Sequence, residues 1–334
     1  MKLLKYILGG IAALIVIIAL GGVIAVNVSP KPFIFFLNHM PGLNEVTPRP
    51  ADIESYTAQV DIVKDVTYPS TYSSNKLDIF LPKEDKNKKY PTIIWTHGGS
   101  FIGGDKSGTS DWATMMASKG YVVVSINYEV APASRYPGPV KQLDEAYRYL
   151  ERIQDSYYQM DLSRVVIGGD SAGAQIASQF VAVQTNPKLA TEMNMKPSIP
   201  QQSLKAAVLY CGPYDIQGML DTDNKFVTFF VNQIGWAYLG MKDWATSEEI
   251  NQASTSRQVT ENYPPTFLSD GNSGSFEKKA KNLQHRLETR NVPVETLFFP
   301  STKLVPHEYQ FELDTTEAKE CFEKTLSFLK TYTG

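Results

Sequence analysis

VVIGGDSAGAQIA, residues 165–177, is the stretch on which the fold turns. Three branched apolar residues run into Gly168-Gly169-Asp170-Ser171-Ala172-Gly173, and an alanine-rich run leads out. Val and Ile suit a strand covered on both faces, and Ala suits a helix. Gly169 to Gly173 is a G-x-S-x-G pentapeptide, which a chain of this length holds by chance about one time in ten. Its setting carries the weight. Strand, tight turn and helix in that order make a nucleophile elbow, where the glycines allow a sharp turn that lifts Ser171 Oγ above the sheet. The helix start behind it favours developing negative charge.

Outward from the elbow, strand-like and helical runs alternate from Val60 onward. VDIVKDVTY and KLDIFLP alternate as an opening hairpin does. TIIWTH, YVVVSINY, RVVIGG, KAAVLYCG, PTFLSD and VETLFF are short apolar runs suited to central strands. Helical stretches lie between them, and TTEAKECFEKTLSFLKTY closes the chain. The pattern predicts a mostly parallel, eight-stranded sheet with helices on both faces. One segment, about 213–262, breaks the alternation: it has no clear strand but holds Phe226, Phe229, Phe230, Trp236, Tyr238 and Trp244. It reads as a cap that walls a binding site, as ordinary core helices, or as both.

IIWTHGGSFIGG supplies the next part. His97 heads a glycine-rich loop, Gly98-Gly99-Ser100, where backbone N–H groups approach a ligand unobstructed by side chains. Acyl transfer needs such donors where a carbonyl oxygen becomes an oxyanion, together with the N–H of the residue after the nucleophile, Ala172. The same loop nearly imitates a phosphate loop, from Gly99 through Gly104 to Lys106-Ser107. Asp105 interrupts the required Gly-Lys pair and repels phosphate, which excludes that reading.

A serine nucleophile needs a base, and the chain has four histidines. His39 lies in a proline-rich segment. His97 is placed to brace its own loop, and His285 sits among polar neighbours in NLQHRLE. His307 follows the last strand-like run, in the chain order Ser, acid, His, and is the expected base.

HGGSF, INYEVAPASRYPGPVKQLDEAYRYL, GGDSAG and HEYQF together resemble the α/β-hydrolase fold, in its hormone-sensitive-lipase and carboxylesterase-like branch. The resemblance spans roughly residues 60–334 and is specific to fold, much less to substrate. It implies structural roles for Asp144, Asp161 and Asp170. The family pattern has a third glycine where Ser100 stands; a backbone donor survives that change unless the position needs positive φ. The family also follows the PPT strand with a Gly-x-x-Asp turn, which would put the acid near position 274. Here 274 is Gly. Asp270, at the strand's C-terminal edge, is the first candidate for the acid. Glu277, Asp215 and an uncharged Asn272 remain alternatives.

The first residues are a different material. No charge occurs between Lys5 and Lys31, and the middle is Ile, Leu, Val, Ala and Gly. About twenty such residues cross a bilayer as a helix. Lysines before the span and none just after it place the N-terminus inside and the remainder outside the cytoplasm. Residues 1–29 are thus a single-pass cell-membrane anchor, or a cleavable signal ending at Ala25 with secretion of the rest. The apolar run exceeds the ~7–15 residues of a signal core. Residues 30–56, with prolines at 30, 32, 41, 48 and 50, read as a linker or cap segment whose PFIFFLNHM is too apolar to stay in water. Residues 57–334 form the catalytic domain.

The 334 residues carry a net charge of −3, from 32 bases and 35 acids, and show no basic footprint for nucleic acid. Without Lys2 and Lys5, 30 bases face 35 acids and the charge is −5. Cys211 and Cys321, both in apolar surroundings, read as buried free thiols. No metal-ligand spacing appears and no cofactor is implied. Oligomeric state leaves no mark in the sequence. The expected function is a serine carboxylic-ester hydrolase acting on a small or lipid-like ester. Amide or formamide cleavage by the same site, or a non-catalytic scaffold with a degenerate acid, are the alternatives.

Overall fold

The computed structural model describes residues 2–40 and 48–334. Eight strands form one sheet: β1 (Val60–Thr67), β2 (Lys76–Pro82), β3 (Tyr90–Thr96), β4 (Val122–Ile126), β5 (Met160–Asp170), β6 (Leu204–Tyr210), β7 (Thr266–Ser269) and β8 (Val294–Leu297). Their order is β1-β2-β4-β3-β5-β6-β7-β8. The β1–β2 and β2–β4 pairs are antiparallel and the rest parallel. The expected eight-stranded, mostly parallel sheet with its opening hairpin is the sheet found.

Among the described residues eleven α-helices accompany the strands: α1 (Lys2–Val28), α2 (Lys31–Asn38), α3 (Ile53–Thr57), α4 (Ser110–Ser118), α5 (Gly138–Ile153), α6 (Ser171–Thr185), α7 (Pro187–Glu192), α8 (Lys225–Leu239), α9 (Glu248–Ala253), α10 (Glu277–Glu288) and α11 (Thr316–Thr333). Successive strand residues point to opposite faces. Ile94, Val124, Val165, Ile167 and Leu209 join α5, α6 and α10 in one core, whereas Ile93, Trp95, Val123, Val166 and Val208 join α4 and α11 in the other. Both faces need apolar residues, so the central strands read as unbroken apolar runs. Each fully buried Val or Ile contributes about 1.5–3 kcal/mol.

α6 is buried along its whole length. Its alanines let it lie close beneath neighbouring elements, and its buried Gln175 Nε2 donates to the Ala253 carbonyl at 2.7 Å. A helix buried on all sides carries little charge, and this one carries none.

The register of the parallel strands assembles the site. Thr96 pairs with Gly169, Asp170 with Tyr210, and Tyr210 with Ser269. The next residues along the chain, His97, Ser171, Cys211 and Asp270, therefore emerge together at one sheet edge.

The segment read as a linker carries structure. Pro30 and Pro32 open α2, because the first turn of a helix needs no proline N–H. Ile34 is buried, and Phe33 packs edge-on against Phe229 and Phe230 of α8, at 5.1 and 6.1 Å between ring centroids. Asn38 Nδ2 donates to the Ile102 carbonyl at 3.0 Å. Pro41 lies outside the described residues. Farther on, α3 seats the buried Ile53 against the α4 side of the sheet.

Among the described residues one helix, over Lys5–Val28, is long and apolar enough to cross a membrane, with mean hydropathy 2.8. From Gly10 it is exposed until Ala25 and Val26, which are half-buried. Gln233 Nε2 and Lys242 Nζ donate to the carbonyls of Val26 and Asn27, at 3.1 and 2.9 Å.

Candidate active site

Ser171 sits at the corner between β5 and α6 with φ 50°, the left-handed region that a side chain adopts only when its surroundings hold it there. Gly169 and Gly173 make the corner possible. A Cβ on Gly173 would overlap the carbonyl groups of Thr96 and His97, and one on Gly169 would lie 2.6 Å from the Gly173 backbone. Asp170 fixes the corner from below. Its Oδ1 accepts from Trp95 Nε1 and its Oδ2 from the Gly98 N–H, both at 2.7 Å.

That bond removes Gly98 from the expected oxyanion donors, since its N–H already points into a buried carboxylate. Gly99, Ser100 and Ala172 are left, and Ser100 and Ala172 line the same cavity as Ser171. Ser100 has φ 54° and Phe101 has φ 65°. The position where the family pattern has glycine therefore does take the left-handed conformation, at a cost of about 1–2 kcal/mol for a serine.

His307 Nε2 lies 2.9 Å from Ser171 Oγ. Its Nδ1 meets no carboxylate; it lies 2.7 Å from Ser275 Oγ, and Ser275 in turn donates to Asp270 Oδ1. The acid expected first, Asp270, is the one that reaches toward the base, but through a hydroxyl. Burial pushes the Asp270 carboxyl up to about 8, with the Glu277 charge adding to the rise and the Ser275 hydrogen bond opposing it. Burial pushes the His307 imidazole down to about 4.

The alternatives for the acid are engaged elsewhere. Glu277 opens α10 and pairs with Lys281 at 2.7 Å. Asp215 pairs with Arg257 at 3.1 Å. Asn272 donates to the Lys303 carbonyl and accepts from the Val305 N–H, both at 2.9 Å, which staples the 270–275 turn to the loop carrying His307.

Of the other histidines, His97 Nδ1 lies 2.6 Å from the Gly98 carbonyl, and its ring stacks on Tyr128. His285 and His39 are exposed. Asp161 pairs with Arg164 and Asp144 with Arg148, as structural roles require.

Three neighbours of His307 carry no mark in the sequence pattern. Ser275 is one of three serines in FLSDGNSGSF, and nothing singles it out. Glu308, next in the chain, brings a carboxylate oxygen within 3.9 Å of His307 Nε2. Burial pushes Glu308 up; burial and then the Glu308 charge push Asp170 well up. Cys211 takes the left-handed conformation, at φ 43°. Cys211, His307 and Glu308 place ligand-type atoms within 4.8 Å of one another. Burial and then the Asp270 charge push the Cys211 thiol well up, which favours its protonated form. Cys211 and Cys321 are both buried and unbridged.

The cavity above Ser171 measures about 760 Å³. Val227, Phe230, Val231 and Ile234 of α8 form one wall, at the i, i+3, i+4, i+7 spacing of a single helix face. Asp221, Glu277, Lys278 and Lys279 stand along the rim. The same segment, 213–262, also buries Tyr238 and Trp244 in the core.

A family model described as BD-FAE matches residues 77–286, more than half of the chain. The chain belongs to the BD-FAE family. The matched span of this BD-FAE chain holds the glycine loop, the elbow and the 270–275 turn, and stops short of His307. Esterase B from Lactobacillus rhamnosis has a similar structure over 85% of this chain and 91% of its own, with 20% identity and a TM-score of 0.70. A bacterial heroin esterase matches over 83% and 85%, at 20% identity and a TM-score of 0.66. An esterase from Pyrobaculum calidifontis matches over 84% and 89%, at 17% identity and a TM-score of 0.66. At these identities the likeness is one of fold, and the fold of this BD-FAE member is the α/β-hydrolase fold that its motifs resemble.

Proposed function

We propose that this chain is a serine carboxylic-ester hydrolase, anchored by α1 and working outside the cytoplasm. The observation that carries the reading is the 2.9 Å contact between His307 Nε2 and Ser171 Oγ, at a strained elbow that opens into an apolar cavity. General-base action at Nε2 needs the neutral imidazole to carry its proton on Nδ1, donated to Ser275 Oγ, while the Ser275 hydroxyl donates to Asp270. Ser171 Oγ attacks the ester carbonyl as its proton passes to Nε2. The N–H groups of Gly99, Ser100 and Ala172 receive the oxyanion. Nε2 returns the proton to the departing alkoxide, and water repeats the cycle on the acyl-enzyme. The polarised Ser275 hydroxyl passes the stabilising effect of Asp270 to the imidazolium.

Support for an uncleaved anchor comes from Gln233 and Lys242, which hold the last turn of α1 to the cap. The test is Ser171→Ala assayed on a short p-nitrophenyl ester, alongside labelling of the parent chain by a fluorophosphonate. Rapid labelling lost in the variant is the expected result. A folded parent chain that neither labels nor hydrolyses would make it a scaffold, a reading favoured by the missing direct carboxylate on His307.

A further inference from the structure

α8 has two working flanks. Val227, Phe230, Val231 and Ile234 face the cavity, whereas Phe229 meets α2 and Gln233 holds the last turn of α1. Phe230 belongs to both settings, since it lines the cavity and packs on Phe33. The cavity wall and the helix that ends the apolar span are therefore one packed unit. Around it, large apolar rings stand uncovered: Phe226 is 72% exposed, Phe35 66% and Phe36 59%. α2 buries Ile34 inward and turns two phenylalanines outward, the reverse of a surface helix in water.

A patch of this kind is unfavourable in water and fits the headgroup boundary of a bilayer, where aromatic rings gather. What covers it follows from continuity. α2 begins three residues beyond the end of α1, and the apolar span Lys5–Val28 of α1, at 1.5 Å per residue, is about 36 Å long, enough for a hydrocarbon core of about 30 Å. A bilayer that holds this span brings its surface to the last turns of α1, beside α2 and α8.

We infer that Phe35, Phe36 and Phe226 form an interfacial platform that seats the catalytic body on the lipid surface, with the cavity mouth beside it. The substrate class is then an ester whose acyl chain resides in that leaflet and slides along the apolar face of α8 toward Ser171. The substrate half rests on the proposed esterase activity, and the platform half on the proposed anchor α1 alone.

The test uses the full chain in dioleoyl-phosphatidylcholine vesicles. Phe36→Cys, Phe226→Cys and Tyr158→Cys each carry an NBD fluorophore; Cys211 and Cys321 are buried and stay unlabelled. Tyr158 is exposed and precedes β5, at the opposite edge of the sheet from Ser171. Lipid-borne nitroxides should quench positions 36 and 226 and spare 158. Quenching at 36 and 226 no greater than at 158 overturns the platform.

A second arm replaces the rings together, Phe35→Ser/Phe36→Ser/Phe226→Ser. Hydrolysis of a long-chain umbelliferyl ester dissolved in the vesicles should fall about tenfold, with hydrolysis of soluble p-nitrophenyl acetate unchanged. Equal loss on both esters, or loss on neither, overturns the substrate half. A parent chain inactive on both esters overturns the esterase reading and with it the substrate half, while the quenching result still decides the platform.

Discussion

Ser275 Oγ lies 2.7 Å from Nδ1 of His307, the position at which a serine hydrolase ordinarily keeps a carboxylate. The carboxylate is one group farther away, on Asp270, and Ser275 donates to it. Removing the hydroxyl by Ser275→Ala should lower kcat on a soluble ester about a hundredfold and leave KM nearly unchanged. Ser275→Thr, which keeps the hydroxyl, should recover most of the loss. A residue that only packs the turn would not separate these two variants.

Ser171→Ala should reduce hydrolysis at least about ten-thousandfold while leaving the thermal unfolding midpoint close to that of the parent. Retained turnover would assign the chemistry to another group.

The pH profile follows from the buried acid. His307, pushed down to about 4, is neutral and able to accept a proton throughout the ordinary range. Asp270, pushed up to about 8, becomes anionic only as pH rises through that value. Turnover should therefore climb through about pH 8, and Asp270→Asn should flatten the climb at the lower plateau. Glu308 and Cys211 also face the ring, so Glu308→Gln serves as the comparison that must leave the climb in place.

Stability has the opposite dependence on the same group. An aspartate whose folded pKa is raised binds its proton more tightly when folded, so its contribution is full below the unfolded value near 3.9 and is lost as pH rises through about 8. Asp270→Asn should thus gain stability relative to the parent as pH moves from 6 to 9, read as a widening difference in unfolding midpoint.

Ser100→Gly keeps the backbone donor and removes left-handed strain at φ 54°. The strain relieved is about 1–2 kcal/mol, against about 0.5–1 kcal/mol of added chain entropy in the unfolded state. The variant should be slightly more stable with turnover preserved. Gly173→Ala, which drives a methyl into the Thr96 and His97 carbonyls, should fail to fold or lose several kcal/mol.

Much of this was legible because it rests on local pattern. Doubly covered strands write themselves as apolar runs, and a strand–turn–helix around Ser171 has one common use. Position along the chain singled out His307, which lies against Ser171, and a place at a strand end singled out Asp270, which reaches His307 only through Ser275. Ser275 was not legible, because its role depends on how the 270–275 turn closes on the loop carrying His307. That closure is set by Asn272 and by a bridge between Ser273 and Pro306, contacts more than thirty residues apart. The loss of Gly98 as a donor was hidden for the same reason, since its partner Asp170 is 72 residues away. α2 read as linker because its prolines, taken singly, signal extension; only their place in a first turn reverses the meaning.

The Asp170 carboxylate has a mechanical consequence. By gripping Trp95 on β3 and Gly98 on the following loop while sitting one residue before Ser171, it fastens the Ser171 corner and the glycine loop to a shared mount. A displacement of either element is thereby transmitted to the other, so the spacing that the proposed chemistry needs between Ser171 and the N–H groups of Gly99 and Ser100 is held by one side chain.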